Sequence, residues 1–121
     1  FFAEKPVVLN GSGLLVNRPE NRRRADAFLD TVVANGQTNL LPALELAFKQ
    51  RPQVIFLLTD GDFPDNKAVA EAVRRLNAAG ETVVNTIAFV DPGDSYEQVL
   101  RQIARENRGR YRFVGESDLQ R

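Results

Sequence analysis

The most informative stretch of the chain is an unbroken apolar run at residues 54–58, which ends at Thr59-Asp60-Gly61-Asp62. A strand with one face in water alternates apolar and polar residues, whereas an unbroken run is typical of a strand covered by helices on both faces. We therefore expect a central strand of a parallel sheet here. Ligands of such sheets bind beyond the carboxyl ends of the strands. The pattern thus places Asp60 at the position where sheets of this kind bind ligands.

The pattern of apolar positions along the rest of the chain predicts helices and strands in alternation. Expected helices, each with an apolar stripe at helical spacing, span residues 19–33, 40–49, 66–79 and 94–107. Further strands are expected at residues 7–9, 82–90 and 110–114. Helix and strand alternate from residue 39 onward, which predicts one α/β domain of three layers, with a Rossmann-like, mostly parallel sheet flanked by helices.

The stripes also predict which residues are buried. In the first helix, Ala25, Phe28, Leu29 and Val32 recur at i, i+3, i+4 and i+7, so this face is expected to be buried. For the other helices, the residues expected to face the core are Leu40, Leu44, Ala47, Phe48, Val69, Ala72, Val73, Leu76, Tyr96, Val99, Leu100, Ile103 and Ala104.

The predicted sheet lacks a neighbour for its central strand. Strand 82–90 supplies one side of strand 54–58, but the first 50 residues offer only the short segment 7–9 for the other. A bare apolar strand edge is a template for pairing. We expect this edge to be covered by residues upstream of Phe1, by the N-terminal segment, or by a second copy in a homodimer. The sheet is therefore expected to be incomplete on its N-terminal side, and the absence of Met favours a piece of a longer protein.

The amino-acid composition excludes several kinds of catalytic and metal site. The chain has no His and no Cys, which excludes Ser-His-Asp, Cys-His and nitrogen- or sulfur-ligated zinc sites and leaves oxygen donors for hard cations. Sixteen basic residues balance sixteen acidic ones, so no overall field favours nucleic acid, and Arg22-Arg23-Arg24 is interpreted as a solvated helix face. No apolar run approaches the roughly 20 residues that span a bilayer.

Several segments together resemble the later part of a von Willebrand factor type A domain. The matching segments are Gly36-Gln37-Thr38-Asn39-Leu40, Ile55-Phe56-Leu57-Leu58-Thr59-Asp60-Gly61, Asn85-Thr86-Ile87-Ala88-Phe89, and Ile103-Ala104 with Gly109-Arg110-Tyr111. The resemblance covers nearly the whole chain. It implies a doubly wound sheet and a non-enzymatic protein-binding module, in which loops beyond the strands hold Mg²⁺ or a similar cation that an acidic residue of the partner completes.

Carried over by position, Thr38 corresponds to the second metal loop of that family and Asp60 to the third. The first loop, Asp-x-Ser-x-Ser, has no counterpart in the sequence. Because Mg²⁺ prefers near-octahedral oxygen coordination, one hydroxyl and one carboxylate predict weak binding, of roughly millimolar affinity or poorer. The alternative roles are structural: Thr38 as a helix cap, Asp60 as a turn residue, and Asp62 and Asp65 as turn and cap residues.

A second functional class fits the same strand. A receiver-like phosphoacceptor domain also places an Asp after a buried strand, so Asp60 is the candidate acceptor of that alternative. Such a site needs an acidic cluster on an earlier strand and a Lys on a later one. Strand 82–90 carries no Lys, although Lys67 follows the loop. A dinucleotide-binding enzyme is disfavoured because no G-x-G-x-x-G follows a strand.

Overall fold

The computed structural model describes residues 5–32, 39–60, 63–90 and 94–120. In chain order the elements are α1 (Pro19–Thr31), α2 (Leu41–Lys49), β1 (Val54–Thr59), α3 (Asn66–Leu76), β2 (Val83–Val90), α4 (Asp94–Glu106), β3 (Tyr111–Gly115) and α5 (Glu116–Leu119). The strands form a parallel sheet in the order β1-β2-β3. This confirms the α/β class. The strand expected at residues 7–9 is wrong, since that segment forms no strand.

One face of the sheet is packed tightly. Val84 and Ala88 of β2 are fully buried in one apolar cluster with residues of α3 and α4, and Leu57 of β1 joins the same cluster. The stripe predicted for α4 is confirmed in full, because its members are all buried: Tyr96, Val99, Leu100, Ile103 and Ala104. In α2 and α3, Ala47 and Leu76 are half-buried and the remaining predicted core residues are buried. The core therefore lies between this face and α2, α3 and α4.

On the opposite face of the sheet β1 is exposed, so the expectation that β1 is covered on both faces is wrong. Val54, Phe56 and Leu58 are 43%, 64% and 49% exposed. The physical reason is that α3 and α4 pack against each other and belong to one apolar cluster on one side of the sheet. Among the described residues, no helix covers the other side of β1.

Helix α1 also departs from its prediction. It forms close to the expected bounds, with Pro19 in its first turn, but none of its residues is buried and Leu29 is 61% exposed. Periodicity identifies the apolar side of a helix, but burial needs a partner surface as well. The expected buried face of α1 is thus wrong for the described part of the chain.

The amino ends of the strands are tied together by polar side chains. The amide nitrogen of Asn77 donates to the Thr82 carbonyl at 2.8 Å and to Oδ1 of Asn107 at 2.7 Å. The hydroxyl of Thr82 donates to the Pro52 carbonyl at 2.8 Å, and Nδ2 of Asn107 donates to the Ile103 carbonyl at 2.7 Å. Buried polar groups are costly unless they are paired. This network therefore fixes where β1, β2 and the connection after α4 meet.

An ion pair joins α3 to α4 on the surface. The Arg74 guanidinium donates to both carboxylate oxygens of Glu106, at 2.8 and 2.6 Å. The hydrogen bond from Arg74 lowers the pKa of Glu106. Two parallel bonds of this kind also fix the relative orientation of the two side chains. The pair thus helps to hold α3 and α4 on the same face of the sheet.

β3 is anchored to α4 through Tyr111. Its hydroxyl donates to the carboxylate of Glu97, and the Arg101 guanidinium lies 4.0 Å from the ring centroid. Burial, together with the hydrogen bond to Glu97, raises the pKa of Tyr111 to about 12. The folded state therefore favours the protonated phenol.

This shift predicts a loss of stability at alkaline pH. The contribution of Tyr111 should be fully present below the ordinary tyrosine pKa of about 10, and it should disappear as the pH rises toward the folded-state pKa. Urea unfolding followed by circular dichroism at several pH values between these limits checks this. A Tyr111→Phe variant should lose less stability over that interval than the parent, and equal losses would contradict the assignment.

Candidate functional site

The carboxyl end of β1 presents one carboxylate to solvent. Thr59, the last strand residue, is 7% exposed, and the next residue, Asp60, is exposed. Since side chains alternate along a strand, Thr59 points to the packed face and the chain then leaves the sheet. The loop returns to the core at Phe63, which is 5% exposed. Asp60 is therefore exposed directly after the buried end of β1, at the edge of the sheet predicted from the sequence.

Helix α3 begins directly after this loop. Its N-cap is Asp65, whose carboxylate accepts a hydrogen bond from the backbone N–H of Ala68 at 3.0 Å. This confirms the structural role expected for Asp65 and removes it from the set of candidate ligands. Asp62, interpreted as a turn residue, lies outside the described residues.

Asn66 is the one residue near this loop that sequence reasoning missed. Its side-chain Oδ1 is buried and accepts no hydrogen bond within the described part of the chain. A buried acceptor without a partner is uncommon in folded proteins. No sequence signal distinguishes it, because Asn at a helix start is an ordinary residue there.

The structure does not test metal binding by the predicted pair of ligands, Thr38 and Asp60. Asp60 lies at the carboxyl end of β1 as expected, whereas Thr38 falls outside the described residues. Within the described ranges, no group of three His, Cys, Asp or Glu residues is placed to hold a metal ion. Oxygen donors suit a hard cation, but one carboxylate fits a weakly held, largely hydrated ion and does not fit a closed protein cage.

The second functional class gains no support from the residues around Asp60. β2 carries no lysine, and the Lys67 ammonium lies 3.9 Å from Glu71, one turn further along α3. The Lys67 side chain is 86% exposed. A phosphoacceptor site needs a cation directed at the phosphoryl group. Lys67 instead lies on the solvent side of its own helix.

None of the helices in the described residues is both long enough and apolar enough to cross a bilayer.

Comparisons with known proteins identify the family to which the chain belongs. No protein of curated function matches the sequence. Among solved structures, the chain is similar to one described as "Crystal Structure of Uncharacterized Membrane Spanning Protein from Vibrio fischeri", with 21% identity and a TM-score of 0.44. The match covers 84% of this chain and 62% of that chain, so this chain spans less than two thirds of its length. The family model of the von Willebrand factor type A domain matches residues 13–113, which is most of the sequence. The chain therefore belongs to the von Willebrand factor type A domain family.

Proposed function

We propose that this chain is a non-enzymatic protein-interaction module that binds its partner at the carboxyl ends of the sheet strands. Domains of this family commonly mediate protein interactions. The observation that carries the proposal is the position of Asp60, exposed immediately beyond β1 between the buried residues Thr59 and Phe63. A carboxylate that directly follows a buried strand residue offers a defined contact to a partner at a small cost in ordering entropy.

In the proposed site, Asp60 and Thr38 hold a divalent cation that an acidic residue of the partner completes. The cation would supply a positive charge between two carboxylates that otherwise repel each other. Since the sequence has no Asp-x-Ser-x-Ser loop, water fills most coordination positions in the free chain. The partner's carboxylate would therefore replace a water, and recognition would depend on the partner and the cation together.

A Mg²⁺ titration of the isotopically labelled chain tests the site. We expect the amide resonances next to Asp60 to shift, with half-saturation on the order of a millimolar. Asp60→Asn, which keeps the shape and removes the charge, should abolish these shifts. The matched control is Asp30→Asn, which removes an exposed carboxylate from α1 and should leave them unchanged.

Acetate provides a simple substitute for the partner's carboxylate in the same experiment. Its binding near Asp60 should require Mg²⁺, because without the cation the two carboxylates repel each other. Micromolar affinity for Mg²⁺ would contradict the open coordination proposed here, and so would shifts that persist in Asp60→Asn.

A further inference from the structure

A charged surface lies at the amino ends of the strands, opposite the end that carries Asp60. In a parallel sheet, the residues that precede the strands all lie at this end. In the described part of the chain, six exposed charged residues precede a strand or end the helix before it and take part in no ion pair between helices. They are Lys49, Arg51, Glu81, Arg105, Arg108 and Arg110, here named the amino-end surface. Five of the six are basic, although the whole chain carries sixteen basic and sixteen acidic residues.

Hydrogen bonds place the acidic member of this surface between two of its arginines. The residue after Glu81 donates its side-chain hydroxyl to the Pro52 carbonyl at 2.8 Å, and Pro52 directly follows Arg51. The residue before Glu81 accepts a hydrogen bond from the Arg108 guanidinium on its backbone carbonyl. The charges across this end of the sheet therefore alternate as positive, negative and positive.

Two of the arginines occupy backbone conformations that favour glycine. The φ angles of Arg51 and Arg108 are 52° and 58°. Arg51 directly follows the C-cap of α2, a position that glycine commonly takes because a side chain is strained at positive φ. Within the described residues, the Arg51 side chain is exposed and forms no ion pair. The backbone thus gains nothing from an arginine here, and its charge is available to a ligand.

We infer that the amino-end surface binds a segment of a partner protein in which acidic residues flank a basic one. The acidic residues face Arg51 and Arg108, and the basic residue faces Glu81. Guanidinium groups recognise carboxylates through two parallel hydrogen bonds. Two strand spacings separate the starts of β1 and β3 by about 10 Å, which an extended segment covers in about three residues.

The charge of Glu81 favours a protein segment over other polyanions. A lipid surface or a nucleic-acid backbone presents continuous negative charge and would repel Glu81 in the middle of the contact. A protein segment can instead place a lysine or arginine opposite it. The contact lies at the other end of the strands from Asp60 and needs no cation, so it goes beyond the proposed function.

Two peptides of equal composition test the inference. Glu-Glu-Lys-Glu-Glu has its basic residue between acidic pairs, whereas Lys-Glu-Glu-Glu-Glu has the same net charge with the lysine at one end. In EDTA and at low salt, the first peptide should shift the amide resonances of residues 80–82 and 108–110 and bind about threefold more tightly than the second. Glu81→Gln should remove this preference, because the central lysine then loses its partner.

Arg51→Gly separates the role of the charge from that of the scaffold. This substitution removes the guanidinium and relieves the positive φ, so the thermal unfolding midpoint should not fall. The affinity for the first peptide should nevertheless fall by about threefold. The matched control is Arg23→Gln, which removes the same charge from the exposed surface of α1 and should leave the affinity unchanged.

Three results would overturn the inference. These are equal affinities for the two peptides, an unchanged affinity in Arg51→Gly, and tighter binding of phosphatidylserine vesicles or a single-stranded oligonucleotide than of the first peptide. The last result would indicate a surface for continuous negative charge. Asp60→Asn should leave peptide binding unchanged, so failure of this inference and failure of the proposed Mg²⁺ site are distinguishable.

Discussion

Replacing Gly109 by alanine is expected to lower the free energy of unfolding by about 3 kcal/mol, at the upper end of the usual cost of overpacking. A Cβ at this position would lie 1.8 Å from the carbonyl oxygen of Val84 and 2.4 Å from its carbonyl carbon. Both atoms belong to the backbone of β2, the middle strand, so a rotamer change cannot relieve the overlap. Either β2 or the connection between α4 and β3 must move.

Chemical denaturation followed by circular dichroism measures this loss. Gly11→Ala is the matched control, because a Cβ there meets no atom within 4 Å and the residue has no positive φ. Its free energy of unfolding should stay within about 0.5 kcal/mol of the parent value. If Gly109→Ala were as stable as Gly11→Ala, the close approach of this loop to β2 would be incorrect.

Truncation of Leu100 to alanine is the second change with a large expected effect, again about 3 kcal/mol. Leu100 is fully buried, in the helix that packs on the middle of the sheet. Removal of its side chain loses apolar contacts and leaves a cavity that the close-packed surroundings fill only in part. The same denaturation experiment measures the loss.

Leu58→Ala makes the identical chemical change on the open face of β1, where the side chain is 49% exposed. Its expected cost is below about 1 kcal/mol, because less apolar surface returns to water and no cavity forms. The contrast between the two leucines measures the asymmetry of the sheet. Equal losses would indicate that the exposed face of β1 is covered in solution.

The packed half of the fold was predictable because each apolar segment there packs against another element of the same chain. The stripe of α4 gave its buried residues correctly, and the apolar run at residues 54–58 gave β1 within one residue. In both cases an amphipathic or apolar segment finds a surface to pack on. A local pattern is sufficient when its partner is present in the same chain.

The open half was not predictable for the same reason. The stripe of α1 and the outer residues of β1 are apolar, and both were expected to be buried, yet Leu29 and Phe56 are exposed. An apolar side chain makes burial favourable, but burial also requires another part of the protein that packs over it. The apolar pattern of the strands identified the missing neighbour beside β1, and the strand order places β1 at that edge among the described residues.

For the site, the position of Asp60 followed from a general rule about strand ends, and the structure places it there. The cap role of Asp65 followed from helix-start preferences and is confirmed. Ligation by Thr38 and Asp60 stays a prediction, because it came from the resemblance and Thr38 lies outside the described residues. The buried amide of Asn66 depends on three-dimensional packing that no local pattern encodes.

The Asn77–Thr82–Asn107 network lies at the amino ends of the strands, opposite the loop that carries Asp60. The polar network thus secures one end of the strands, and the recognition proposed for Asp60 lies at the other end. Substitutions at Asn77 or Asn107 would break this network and so threaten folding itself, whereas the exposed Asp60 takes no part in it. A library that randomises the recognition end should therefore yield many folded variants from which new binders can be selected.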